Sequence, residues 1–271
     1  MERLNMTIPA KLRDRLRNGT STPNNSTDFL ELARRRAELA NMEPGNLTGY
    51  DCPECLNRGF FHRVDDLGRR SVEDCACMIR RRNERRIRAS GLGEMLKRYT
   101  FPAWIADAKW RENAKTAALR YAENPSGWFV AAGTSGTGKS HLCTAICGQL
   151  MERGMDTRYM LWRDVSVQAK AVVNDDEAYS RIVEPLKRVP VLYIDDLFKT
   201  GKGQAPTVGD VNLAFEILNA RYNDSRKVTV ISTELPMEGL LDIDEAVGGR
   251  IYERSKGNYL DFRGRENWRL R

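Results

Sequence analysis

The run Trp128-Phe-Val-Ala-Ala132, Gly133-Thr-Ser-Gly136-Thr-Gly138-Lys139-Ser140, His141-Leu-Cys-Thr-Ala-Ile146 decides the fold. Five apolar residues predict a buried strand, the glycines a loop, and the following residues a helix. The spacing G-x-x-x-x-G-K-S is that of a phosphate-binding loop. Gly133, Thr134, Ser135, Gly136, Thr137 and Gly138 supply a backbone that can curl its N–H groups toward phosphate oxygens. The helix N-terminus adds partial positive charge. Lys139 brings a full charge to the β- and γ-phosphates, and the Ser140 hydroxyl suits Mg²⁺.

Downstream, the pattern alternates. Residues 157–162 read as a strand, and Asp164 heads a helix. Residues 177–188 read as a helix, 189–194 as a buried strand ending in Asp195-Asp196, 208–224 as a helix and 228–232 as a strand. The helix at 208–224 shows Val211, Phe215, Leu218 and Tyr222 along one face. Such alternation predicts an α/β fold: a parallel sheet flanked by helices, binding its ligand at the carboxyl ends of the strands. Asp195 then falls where a carboxylate holds Mg²⁺, and Asp196 where one orients an attacking water. The strand ending Ser232-Thr233-Glu234 presents polar groups to the same place. An N-K-x-D guanine-reading motif is missing, which argues against a simple GTPase.

Upstream lies a second module. Cys52-Pro-Glu-Cys55 and Cys75-Ala-Cys77 flank a hairpin-like stretch. Four thiolates in two close pairs predict a closed, structural Zn²⁺ site, with His62 as a possible substitute ligand. Arg80-Arg-Arg82 and Arg85-Arg86-Ile-Arg88 follow on a helix, which is either a solvated face or a contact for phosphates or an acidic surface. Two amphipathic helices precede the cysteines, at 7–18 and from residues 26–28 to Pro44-Gly45. They pack a small core or dock on a partner. Residues 90–93 (Ser-Gly-Leu-Gly) break the pattern and suggest two domains, 1–95 and 96–271, the second containing a further helix at about 107–123.

The chain has 271 residues, 41% of them apolar, and a net charge of +7. The excess is lopsided: residues 1–98 hold 20 Lys/Arg against 14 Asp/Glu, and residues 99–271 hold 24 against 23. The basic surplus therefore belongs to the cysteine module and points to a polyanion or an acidic protein as partner. No run of apolar residues is long enough for a membrane span, and the N-terminus lacks a signal-peptide apolar core, so the expected location is cytoplasmic.

Zinc knuckle, basic helix, Tyr99-Thr-Phe-Pro102, Gly-Thr-Gly-Lys-Ser-His-Leu, Leu-Tyr-Ile-Asp-Asp-Leu-Phe-Lys, Ile-Ser-Thr-Glu-Leu and Arg250-Ile-Tyr-Glu-Arg254 occur in one order. Over about residues 50–271 the chain resembles the DnaC/DnaI-type helicase loaders, AAA+ ATPases of the initiator clade. The resemblance implies that the phosphate loop through His141 binds ATP, with Tyr99 to Phe101 bordering the adenine. It also implies Thr233 or Glu234 at the sensor-1 position and Arg250 as an arginine finger acting on a neighbouring subunit after ATP-dependent self-association. It further implies a zinc module that grips a hexameric replicative helicase, and an ATPase domain that senses single-stranded DNA. Lys199, Lys202 and nearby glycines form a basic loop suited to DNA. Many family members carry Asn where this chain has Glu234. Little chain follows Arg250 for a helical lid, although Arg265 or Arg269 stands where a second sensor would. Asp196 is one methylene shorter than the glutamate of fast relatives, which implies slow hydrolysis. Two other readings stay open: an IstB-like transposition regulator that binds duplex DNA, and a nucleotide-gated module without meaningful hydrolysis.

Overall fold

A computed structural model describes residues 26–89, 93–201 and 204–270. The helix expected at 7–18 and the loop residue Lys202 lie outside the described residues. The described residues fall into two compact units that divide between Cys75 and Ala76, earlier than the boundary expected after residue 95.

In the first unit, helix α1 (Ser26–Met42) packs on a two-stranded antiparallel hairpin, β1 (Phe60–Val64) and β2 (Arg70–Asp74). Asn41 fixes the helix to the hairpin: its side-chain oxygen accepts from His62 N at 2.9 Å, and its amide donates to His62 O at 3.0 Å. Asp65 builds the turn, its Oδ1 accepting from the backbone of Leu67 at 3.0 Å and of Arg69 at 2.9 Å. Little apolar surface is covered: β2 is exposed throughout, and Phe29 and Met42 of α1 face solvent.

The second unit begins with the basic helix α2 (Ala76–Ala89), a short α3 (Gly93–Arg98) and α4 (Lys109–Glu123). A five-stranded parallel sheet follows, formed by β3 (Trp128–Ala132), β4 (Thr157–Leu161), β5 (Val191–Asp195), β6 (Val228–Thr233) and β7 (Tyr259–Asp261) in the order β4-β5-β6-β3-β7. The helices between them are α5 (Lys139–Glu152), α6 (Trp162–Ala171), α7 (Asp176–Arg188), α8 (Val208–Tyr222), α9 (Met237–Ile243) and α10 (Glu245–Arg254).

Strand residues alternate between two cores, as a sheet covered on both faces requires. Phe129, Ala131, Tyr193 and Val230 point to the side packed by α4 and α5. Trp128, Val130, Ala132, Leu192, Ile194 and Ile231 point to the side packed by α6, α7, α8 and α10.

Three sequence expectations shift. Trp162 opens α6 instead of ending β4, because its ring is buried against Phe198 (centroids 5.3 Å) on the helical side of the sheet. β7, only three residues long, carries too little pattern to be foreseen. On α8 the buried stripe is Leu213, Ala214, Ile217 and Leu218, while Phe215 stays partly exposed. Arg221 on that stripe pulls it inward. The residue is fully buried, with Nε on Thr229 Oγ1 and its Nη groups on the carbonyls of Leu186, Val189, Pro190 and Val228. Burial lowers its pKa to about 10, still far above neutrality, so the guanidinium stays charged and clasps three elements.

The basic helix is partly committed to this unit. Asn83 is fully buried, donating to Met155 O at 2.6 Å and accepting from Thr157 N at 3.0 Å at the start of β4. Among the described side chains of this helix, Arg81 and Asn83 are packed and Arg85 is exposed.

Candidate functional site

The phosphate loop leaves the carboxyl end of β3 and enters α5, as the spacing predicts. Gly138, the residue before α5, has φ +100°, and a Cβ there would sit 2.5 Å from the Trp104 ring. Gly136 has φ +75°, and its Cβ would overlap Asn267 Oδ1 at 1.8 Å. Backbone conformation and close packing both demand glycine at these two positions. Lys139 Nζ donates to Thr134 O at 2.8 Å, and Thr137 Oγ1 donates to the same carbonyl at 2.9 Å. Burial lowers the Lys139 pKa, while the charges of Glu234 and Asp196 oppose that shift.

Asp195 ends β5 directly across from α5. Its Oδ1 accepts from Ser140 Oγ at 3.0 Å, from Tyr193 OH at 2.7 Å and from Ser232 Oγ, and its Oδ2 accepts from Tyr159 OH at 3.2 Å. The carboxylate raises the pKa of both phenols, on top of a larger contribution from burial. Among the described residues no cationic side chain is bonded to it. A buried anion held by four hydroxyls and lacking a cation fits Mg²⁺, with Ser140 and Asp195 as the residues to hold it.

Asp196 adopts φ +55°, and its backbone N–H donates to Ser232 Oγ at 2.9 Å. Lys199 Nζ joins it to the next strand, lying 3.0 Å from Asp196 Oδ2 and 2.8 Å from Glu234 Oε1. Thr233 is fully buried. Its hydroxyl donates to Leu197 O at 2.9 Å and accepts from Leu235 N at 3.1 Å, so Glu234, not Thr233, reaches the cleft.

The cleft is lined by residues 135–141 together with Tyr99, Trp104, Arg111, Asp196, Lys199, Glu234, Trp268 and Arg269, among others. Tyr99 stacks on His141 with ring centroids 4.9 Å apart, and His141 Nε2 bonds Thr100 O at 2.9 Å. Burial holds the imidazole below its ordinary pKa, so it stands neutral with Nε2–H donated to that carbonyl. Phe101, expected beside the adenine, is turned into the core under α5. Trp104 forms the cleft wall in its place, its Nε1 donating to Arg111 O at 3.1 Å. Trp104, Arg111 and Trp268 were not foreseen. They come from segments far from the loop in sequence, and no spacing marks them. Arg269, noted as a possible second sensor, does line the cleft.

Arg250 does not line the cleft. It lies between α8 and α10, with Nε on Asn219 Oδ1 at 3.0 Å and its guanidinium 4.8 Å from the Phe215 ring centroid.

The cysteines converge as expected. The sulfurs of Cys52, Cys55, Cys75 and Cys77 all lie within 4.8 Å of one another and are buried. Cys52 Sγ and Cys75 Sγ are 3.8 Å apart, and Cys55 Sγ accepts from Gly59 N at 3.2 Å. Leu56 and Asn57, with φ of 48° and 64°, form the tight turn of the knuckle. Four thiols in a closed, buried group fit structural Zn²⁺. His62 is not in the group; its ring meets Phe60 edge-on at 5.4 Å.

Known proteins resemble this chain along most of its length. Protein YqaM of Bacillus subtilis (strain 168), described as uncharacterized, is 31% identical over 202 residues, 71% of this chain. That match spans 64% of YqaM, less than two thirds of its length. The phage-like element PBSX protein XkdC of the same strain is 30% identical over 254 residues, 86% of this chain and 91% of that protein. The replicative helicase loader DnaC of Escherichia coli (strain K12) is 25% identical over 182 residues, 65% of this chain and 71% of that protein. A crystal structure of the DnaC helicase loader shares the fold, with a TM-score of 0.52 at 20% identity over 58% of this chain and 96% of that one. The sheet with its flanking helices thus has the fold of that loader's structure. The family of IstB-like ATP binding proteins matches residues 60–245, more than half of the chain. On that match and those identities, the chain belongs to the IstB-like ATP-binding protein family.

Proposed function

We propose that this protein is an ATP-gated loader that holds a ring-shaped replicative helicase and deposits it on single-stranded DNA. The observation that carries the reading is the gathering of Lys139, the Ser140–Asp195 pair and Asp196 at one cleft, in a chain with sequence likeness to a helicase loader. Lys139 exchanges the Thr134 carbonyl for phosphate oxygens. Ser140 and Asp195 hold Mg²⁺, which when bound neutralises charge on the phosphates. Asp196 orients the water. Its side chain is one methylene shorter than a glutamate's and holds that water less firmly, so hydrolysis is slow and suits a switch better than a motor. Tyr99, Trp104 and Trp268 offer aromatic faces for the base.

Arg250 acts on the ATP of a neighbouring copy, since it lies away from the cleft of its own chain. The zinc-binding cysteine module grips the helicase, and the exposed Arg85 of α2 meets DNA phosphates, whereas Lys199 is held in the cleft by Asp196 and Glu234. The test is co-purification with the cognate hexameric helicase, with and without ATP. An ATP-dependent complex is expected, and no complex in either condition overturns the reading. Preference for duplex DNA and a transposase partner would instead favour the IstB-like transposition regulator.

A further inference from the structure

The cleft contains a cation that neither the phosphate loop nor the Mg²⁺ pair requires. Lys199 follows a turn tied tightly to β6. Leu197 N donates to Ser232 O at 2.9 Å, Thr233 Oγ1 donates to Leu197 O at 2.9 Å, and Leu197 and Phe198 are buried. Asp196 and Phe198 both adopt left-handed backbone, with φ of 55° and 61°. The Cα of Lys199 is therefore fixed, and its ammonium lies between the carboxylates of Asp196 and Glu234, at the ends of two adjacent strands. Burial raises the Glu234 pKa, but the hydrogen bond and charge of Lys199, helped by nearby Ser135 and Lys139, outweigh it and leave the pKa below its ordinary value. The Lys199 pKa is conversely raised by its two carboxylate partners, against burial.

A carboxylate facing a triphosphate is repulsive unless a cation offsets it. Without Lys199, Asp196 and Glu234 would present two uncompensated negative charges to the γ-phosphate, the group that distinguishes ATP from ADP. An ADP-sized ligand, held by the loop alone, would feel them less because Coulomb repulsion falls with distance.

We propose that Lys199 and Glu234 form a compensated pair that sets how strongly the cleft prefers ATP over ADP, with Lys199 as the positioning residue for Asp196. This rests on the reading of the cleft as an ATP site. The test is equilibrium titration of the full chain with Mg-ATP and Mg-ADP, comparing wild type with Lys199→Met, Lys199→Arg and Lys199→Met/Glu234→Gln. Lys199→Met is expected to weaken ATP binding about tenfold, equivalent to about 1.4 kcal/mol, while ADP affinity changes by less than about threefold. Retained ADP affinity also shows that the variant is folded. Lys199→Arg keeps the wild-type ratio, and removing the Glu234 charge in the double variant recovers part of the loss, leaving the ratio about threefold below wild type because Asp196 stays uncompensated. Equal loss of ATP and ADP affinity, or a double variant as weak as Lys199→Met, overturns the pair while leaving the ATP site intact. A wild-type chain that binds neither nucleotide overturns both.

Discussion

Removing zinc is the perturbation with the largest expected effect on the N-terminal unit. A tetrahedral Zn²⁺ with Zn–S bonds of about 2.3 Å places its sulfurs about 3.8 Å apart, and Cys52 Sγ and Cys75 Sγ stand 3.8 Å apart. Little else holds this unit. Among its described residues the buried apolar side chains are Ala33 and the cysteines themselves, and β2 is exposed along its whole length. Burying one alanine contributes on the order of 1 kcal/mol, whereas ordering each backbone residue costs about 1–2 kcal/mol. An isolated two-stranded hairpin is marginal in water. Structural zinc supplies about 10–16 kcal/mol in comparable small modules, enough to reverse that balance. We expect one zinc per chain by elemental analysis. Chelation should abolish amide-exchange protection over β1 and β2 while leaving β3, β5 and β6 protected. Cys55→Ser should lose both the metal and the protection. A metal-free protein whose hairpin remains protected would refute the reasoning.

Two further predictions follow from single side chains. Arg221→Met strands the carbonyls of Leu186, Val189, Pro190 and Val228, since methionine offers no donor. Breaking such a buried charge network costs about 3–5 kcal/mol, and denaturant unfolding of the second unit should show a loss of unfolding free energy of that size. Arg250→Ala should leave nucleotide affinity of the isolated chain unchanged and reduce turnover only where copies associate, which a titration and a concentration series of ATPase rates would separate.

The phosphate loop, the paired acids after β5 and the cysteine spacing were legible because each is a local pattern whose chemistry restricts residue type. Gly138 must be glycine whatever surrounds it, once φ is +100°. The remainder depended on contacts across the fold. Trp104, Trp268 and Lys199 reach the cleft only through tertiary packing, and nothing in their neighbours announces it. Phe101 and Trp104 lie three residues apart, both aromatic, and nothing in their spacing says which one lines the cleft. On α8 two apolar stripes competed, and the choice fell to the one carrying Arg221, whose partners lie on β6, on α7 and just beyond it. The ion pair with Lys199 offsets the Glu234 carboxylate, which sequence alone left repulsive.

In the proposed function, ATP in the Lys139 cleft controls placement of a helicase on DNA. That control is tested most directly by measuring how much cognate hexameric helicase is retained on circular single-stranded DNA in the presence of this protein. Wild type with ATP should raise retention well above helicase alone, and Lys139→Ala should not. Retention unchanged by a wild-type protein that binds ATP normally would contradict the account.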